Sequence, residues 1–177
     1  MRFELDPRLL LAAPVALLSV VPAHARVYFT LEQAQQAMLP GQRLAPVPLR
    51  LTAAQQDAVE QRAGSRLRDG WPQVWRAVDT GSTFLVDQTL GKHEYITYAL
   101  VIDRAGAVRG LEVMEYRESY GDEIRDPGWR RNFLGKTAAS PVKLEADIPN
   151  ISGATLSSKH VTEGVRRLLA LYDVALR

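Results

Sequence analysis

The chain is predicted to be α+β, a single domain in which a twisted antiparallel sheet packs against a long C-terminal helix and smaller helices. Three observations lead there. Stretches 73–78, 83–89, 95–103 and 108–116 are rich in β-branched and aromatic residues, with turn signals between them. Asp79-Thr80-Gly81-Ser82 joins the first two and Asp103-Arg104-Ala105-Gly106 the last two, and such short links make antiparallel neighbours. Beyond residue 154 the period changes, and Val161, Val165, Leu168, Leu169 and Tyr172 recur at helical spacing on one side.

The first 25 residues read as a segment apart. Arg2 and Arg8 stand in a short charged start with Glu4 and Asp6, and 9–21 is almost wholly apolar. Ala23-His24-Ala25 then supplies small residues at the two positions a signal peptidase reads. This predicts a secretory signal peptide cleaved after Ala25 and an exported, periplasmic protein. The apolar run falls short of the roughly 20 residues a membrane-spanning helix needs. The mature chain is therefore not expected to be transmembrane.

Taking 25 residues from 177 leaves 152, enough for one sizeable core, and leaves the formal net charge at +2. A charge that small points neither to nucleic acid nor to an anionic membrane surface. The chain has no Cys. That excludes disulfides, Cys-ligated iron–sulfur clusters, covalently attached c-type haem and a lipoprotein anchor.

Along the mature chain, 26–72 reads as an N-terminal helical segment and 73–177 as the main body. Thr30 with Gln33 has capping-box spacing ahead of a short helix, 31–39, that Pro40-Gly41 ends. Residues 42–51, with Pro46 and Pro48, form an extended connector. Thr52 with Gln55 repeats the box before a second helix, 53–68, closed by Asp69-Gly70. In the third strand both alternating rows are apolar, Tyr95, Thr97, Ala99 and Val101 against Ile96, Tyr98, Leu100 and Ile102. That strand is expected to be central and covered on both faces. From 117 to 136 the pattern becomes loops and short helices, with Trp129 and Phe133 on one face of a helical turn.

The chemistry concentrates at Asn150-Ile151-Ser152-Gly153-Ala154-Thr155-Leu156-Ser157-Ser158. Small residues cluster where the last helix opens, and hydroxyls follow at once. A helix start with free N–H groups is a ready phosphate site. The same residues also read as an ordinary helix start with Asn150 or Ser152 as N-cap. Other chemistries find little support. His93 and His160 are too few for a metal site, no serine lies in a Gly-x-Ser-x-Gly elbow, and no dinucleotide or Walker motif is present.

Ser152-Gly153-Ala154-Thr155-Leu156-Ser157-Ser158 resembles the flavinylation signature of the FMN-binding domain family. That family includes the FMN subunits of the sodium-translocating NADH:quinone reductase and of the Rnf complexes. The resemblance continues upstream through Gly91-Lys92-His93-Glu94-Tyr95, Glu118-Ser119-Tyr120-Gly121, and Trp129 with Phe133-Leu134-Gly135-Lys136, and spans about 83–172. It implies FMN joined by a phosphoester to Thr155, made by a separate Mg-dependent flavin transferase with FAD as donor. It further implies a flavin-binding set of Ser152, Gly153, Ala154, Ser157, Ser158, Glu118 and Gly121. Tyr116, Trp129 and Phe133 are expected near the ring, and Lys136 or Lys159 near the phosphate. The family usually places an Asp three residues before the Ser of the signature; here Pro149 stands there, with Asp147 two residues further upstream.

The function implied is that of an exported electron carrier, with no substrate turnover of its own. It would relay electrons between a membrane or periplasmic reductase and an acceptor. The alternative is a module that holds FMN non-covalently, or serves as a docking or sensor unit.

Overall fold

In the computed structural model, which describes residues 26–177, two threonines set the first helices. Thr30 caps α1 (Leu31–Met38) and Thr52 caps α2 (Ala53–Ala63). In each, the hydroxyl accepts the N–H of a Gln at the third helical position. The Gln side chain accepts the threonine N–H in return. Helix α2 stops short of the expected 68 because Gly64 turns left-handed (φ 66°) and its N–H closes on Glu60 O. The segment read as a signal peptide, residues 1–25, lies outside the described residues.

The sheet has six strands in the order β1-β6-β5-β4-β3-β2, all neighbours antiparallel. They are β1 (Arg26–Val27), β2 (Leu44–Pro46), β3 (Gln73–Ala77), β4 (Thr83–Leu90), β5 (Tyr95–Ile102) and β6 (Val108–Tyr116). The four long strands match the sequence reading to within a residue at each end. β1 and β2, one on each edge, were not foreseen, because two or three residues carry no period. Strands β4 and β5 pair from Thr83↔Ile102 to Leu90↔Tyr95, which brings the 91–94 turn to one end of the sheet.

Period-two alternation sends the strand residues to two cores. Leu85, Ile96, Tyr98, Leu100 and Ile102 face α4 (Thr155–Leu171) in the larger one. Phe84, Val86, Ala99 and Val101 face Ala34 of α1 in the smaller. Strand β5 is thus central and buried on both sides, as its double apolar row predicts. From α4, Val161, Val165, Leu168 and Leu169 are buried against the sheet, as is Tyr172 just beyond its end. Each such side chain contributes about 1.5–3 kcal/mol. Gly164 lets the helix approach, since a Cβ there would lie 2.1 Å from the Tyr98 hydroxyl.

Between β6 and α4 run a 3-10 turn (Asp122–Arg125), the short helix α3 (Pro127–Arg130) and a second 3-10 turn (Arg131–Phe133). Trp129 and Phe133 meet edge to face, centroids 5.0 Å apart, within the larger core. Among the described residues, no helix is long and apolar enough to cross a membrane.

Candidate functional site

Helix α4 opens without a side-chain cap. Its N-cap is Ala154, and neither Asn150 nor Ser152 serves as cap. The first N–H groups of a helix have no partner inside it, so this end remains an anion-binding one. Gly153, at φ 88°, makes the turn into it, and the space where its Cβ would stand is open. Thr155, the first helical residue, is exposed beside that space.

A cavity of about 650 Å³ lies there, within the range of small-molecule sites. Three segments line it: Gly153 to Ser157 of the helix start, Glu118 to Tyr120 of the loop after β6, and Lys92 with His93 of the β4–β5 turn. The turn is clamped twice. Glu118 Oε1 accepts the N–H of Glu94 at 3.0 Å and that of His93 at 2.5 Å. From α4, His160 Nδ1 lies 3.2 Å from Gly91 O and donates to it. Gly91 is what admits Glu118, since a Cβ there would fall 2.7 Å from Oε1.

Burial tends to raise the Glu118 carboxyl, but the N–H groups of Glu94, His93 and Lys92 outweigh it and hold it below the usual range. Glu118 is therefore ionised, with its charge directed at the turn. Lys92 leaves an exposed cation at the cavity wall.

Behind the cavity, burial pushes the Tyr116 phenol up to about 12, an effect the Ser157 hydrogen bond partly offsets. The neutral phenol donates to Tyr120 O, so Ser157 Oγ, 2.8 Å away, donates to the phenol. Gly121 (φ 98°) is needed at this crossing. A Cβ there would stand 2.5 Å from the Tyr116 hydroxyl and 2.9 Å from Ser157 Oγ.

The structure thus sorts the residues singled out in the sequence. Gly153, Ala154, Thr155, Ser157 and Glu118 line the cavity, and Tyr116 and Gly121 support it from behind. Ser152 is exposed on the approach and does not line it. Ser158 is fully buried, its hydroxyl turned back to Ala154 O at 2.9 Å. Ser157 and Ser158, both in the implied flavin-binding set, therefore offer no free hydroxyl hydrogen to a phosphate. Their hydrogens are used within the fold, and the free donors are backbone N–H groups.

Trp129, Phe133 and Lys136 lie elsewhere. The two rings are core, and Trp129 Nε1 donates to Pro149 O at 2.8 Å. Lys136 pairs with Asp147 at 2.8 Å, and Asp147 also accepts the N–H groups of Val142 and Lys143. Asp147 is thus occupied in its own loop and takes no part at Thr155. The apolar side chains that do border the cavity are Tyr120, 86 % exposed, and Leu156, 41 % exposed. Tyr120 was one of several aromatic candidates in the sequence, whereas Leu156 and Lys92 carried no signal of their own.

The residues present suit a flavin mononucleotide: an open helix start for its phosphate, a cation nearby, and exposed apolar side chains for a flat ring. No curated protein sequence matches the chain. A model of the FMN-binding domain matches residues 91–170, which run from the Gly91 turn through β5, β6 and the Glu118 loop to the end of α4. Residues 91–170 of this chain belong to the FMN-binding domain family.

Proposed function

We propose that this protein is an exported electron carrier whose FMN is joined covalently, through its phosphate, to Thr155 Oγ1. One observation carries the reading: an exposed threonine hydroxyl opens an uncapped helix at the floor of a cavity large enough for a flavin. The phosphodiester would carry about one negative charge. At the first turn of α4 that charge is favoured by ~0.3–1 kcal/mol, more where partly buried. The N–H groups of that turn are the donors, with Lys92 adding a positive charge.

When bound, the isoalloxazine supplies the electron transfer. The residues of the chain orient it and set its exposure. Tyr120 and Leu156 would cover the ring, and Glu118, His160 and Tyr116 keep the three lining segments in register. Covalent attachment suits export, because a dissociating cofactor is lost by dilution, whereas a tether keeps its effective concentration high. The predicted signal peptide supports a periplasmic location, and the lack of Cys leaves any redox role to a cofactor that needs no thiolate, as a flavin does. The partners in this reading are a flavin transferase and a membrane or periplasmic redox protein.

Protein co-expressed with a flavin transferase is expected to keep a yellow adduct after denaturation, with the matching increase in intact mass. Thr155→Ala is expected to lose both. An adduct of equal yield in Thr155→Ala would overturn the assignment, and wild-type flavin released by denaturant would favour the non-covalent reading.

A further inference from the structure

Among the described residues, Thr155 Oγ1 has one side-chain partner: Asn150 Nδ2, which donates to it at 3.4 Å. Asn150 Oδ1 lies 3.1 Å from Ser158 Oγ and shares that hydroxyl's one hydrogen with Ala154 O, and Ser158 is fully buried in the first turn of α4. The amide therefore ties an exposed hydroxyl to an immobile point one turn along. Two nearby groups of the preceding loop are engaged elsewhere. Pro149 has no side-chain donor and its carbonyl is taken by Trp129, while Asp147 is held by Lys136 and two backbone N–H groups.

We propose that Asn150 is a positioning residue for the acceptor hydroxyl in flavin attachment. This rests on the reading of Thr155 as the attachment site. A threonine at an exposed helix start has alternative staggered rotamers. The Nδ2–H holds one lone pair of Oγ1 and so selects among them. The hydroxyl hydrogen and the other lone pair stay free for reaction. In the transfer, the Oγ1–P bond forms as the P–O bond joining FMN to AMP in FAD breaks. AMP departs with the electron pair, and the hydroxyl proton passes to a base of the transferase. Asn150 neither gains nor loses a proton; it fixes where the oxygen is.

The test uses purified flavin-free protein with a flavin transferase, FAD and Mg²⁺. Covalent labelling is followed by intact mass at increasing acceptor concentration. Asn150→Ala is expected to lower kcat on the order of tenfold with KM little changed, since misplacement costs rate rather than binding. Its melting temperature should match wild type. Asn150→Asp, equal in size but unable to donate, should be slowed as well, and it carries the test if the alanine variant folds poorly. Labelling of both variants at the wild-type kcat would overturn the proposal. So would a loss confined to KM, which marks a recognition contact instead. Wild-type protein that takes no label at all overturns the reading of Thr155 itself, so the two failures are distinct.

Discussion

Gly121 shows how little freedom the residues behind the cavity have. Its φ of 98° suits glycine alone, and any Cβ would press on the Tyr116 hydroxyl and Ser157 Oγ. Gly121→Ala is expected to cost about 1–3 kcal/mol, read as a lowered denaturant midpoint at unchanged slope. Glu118 gives a pH signature at the same scale. Its carboxyl is held below the usual value in the folded protein, so its contribution is full above the unfolded value of about 4.3. That contribution is lost as pH falls through the lowered folded value. Glu118→Gln should therefore show a shallower fall of melting temperature between neutral pH and pH 3 than wild type. An equal fall in both would show that Glu118 does not clamp the turn.

The long helix α4 does two things as an element. Its first turn forms the cavity floor, and its remaining length anchors that floor to the sheet. Apolar packing supplies most of the anchoring, but a charged contact lies within it. Arg167 reaches Asp87 of β4 at 2.7 Å, and Tyr98 of β5 donates to the same carboxylate oxygen at 2.8 Å. Both members of the ion pair are buried. Burial, and then the Asp87 charge, raise the Tyr98 phenol well above its ordinary value, so it remains a neutral donor. Asp87→Ala leaves the guanidinium buried without its counter-charge and is expected to destabilise by about 3–5 kcal/mol in denaturant titrations. A loss below about 1 kcal/mol would mean that water reaches Arg167.

At the scale of the molecule, residues 26–72 are built into the sheet that carries the matched domain. β1 pairs with β6 on one edge and β2 with β3 on the other. Helix α1, through Leu31, Ala34 and Met38 and with Phe29 just ahead of it, covers the sheet face opposite α4. A chain shortened to begin at Gln73 uncovers Phe84, Val86, Val101 and Met114, and it frees both outer long strands. It is expected to self-associate and to bind a hydrophobic dye, as light scattering and dye fluorescence would show. Monomeric behaviour without dye binding would mean that the segment is dispensable.

Much of this was legible in the sequence because it is local. Capping boxes at Thr30 and Thr52, turns between hairpin strands and the change of period after residue 154 involve neighbours in the chain. They follow from backbone chemistry and alternation alone. The same holds for small residues and a threonine at the opening of α4. What only the tertiary structure decided is which distant groups share the cavity. Trp129 and Phe133 have the look of ring-stacking residues, yet packing takes them into the core. Tyr120, one aromatic candidate among several, and Leu156, which carried no signal of its own, border the cavity instead. Glu118 clamps a turn 24 and 25 residues away, His160 reaches back 69 residues to Gly91, and Arg167 finds Asp87 across 80. Such pairings depend on how the sheet and α4 close on each other, and no local pattern records them. The sequence by itself determined the long strands, the capped helices and the threonine that opens α4; the closing of the fold determined what surrounds it.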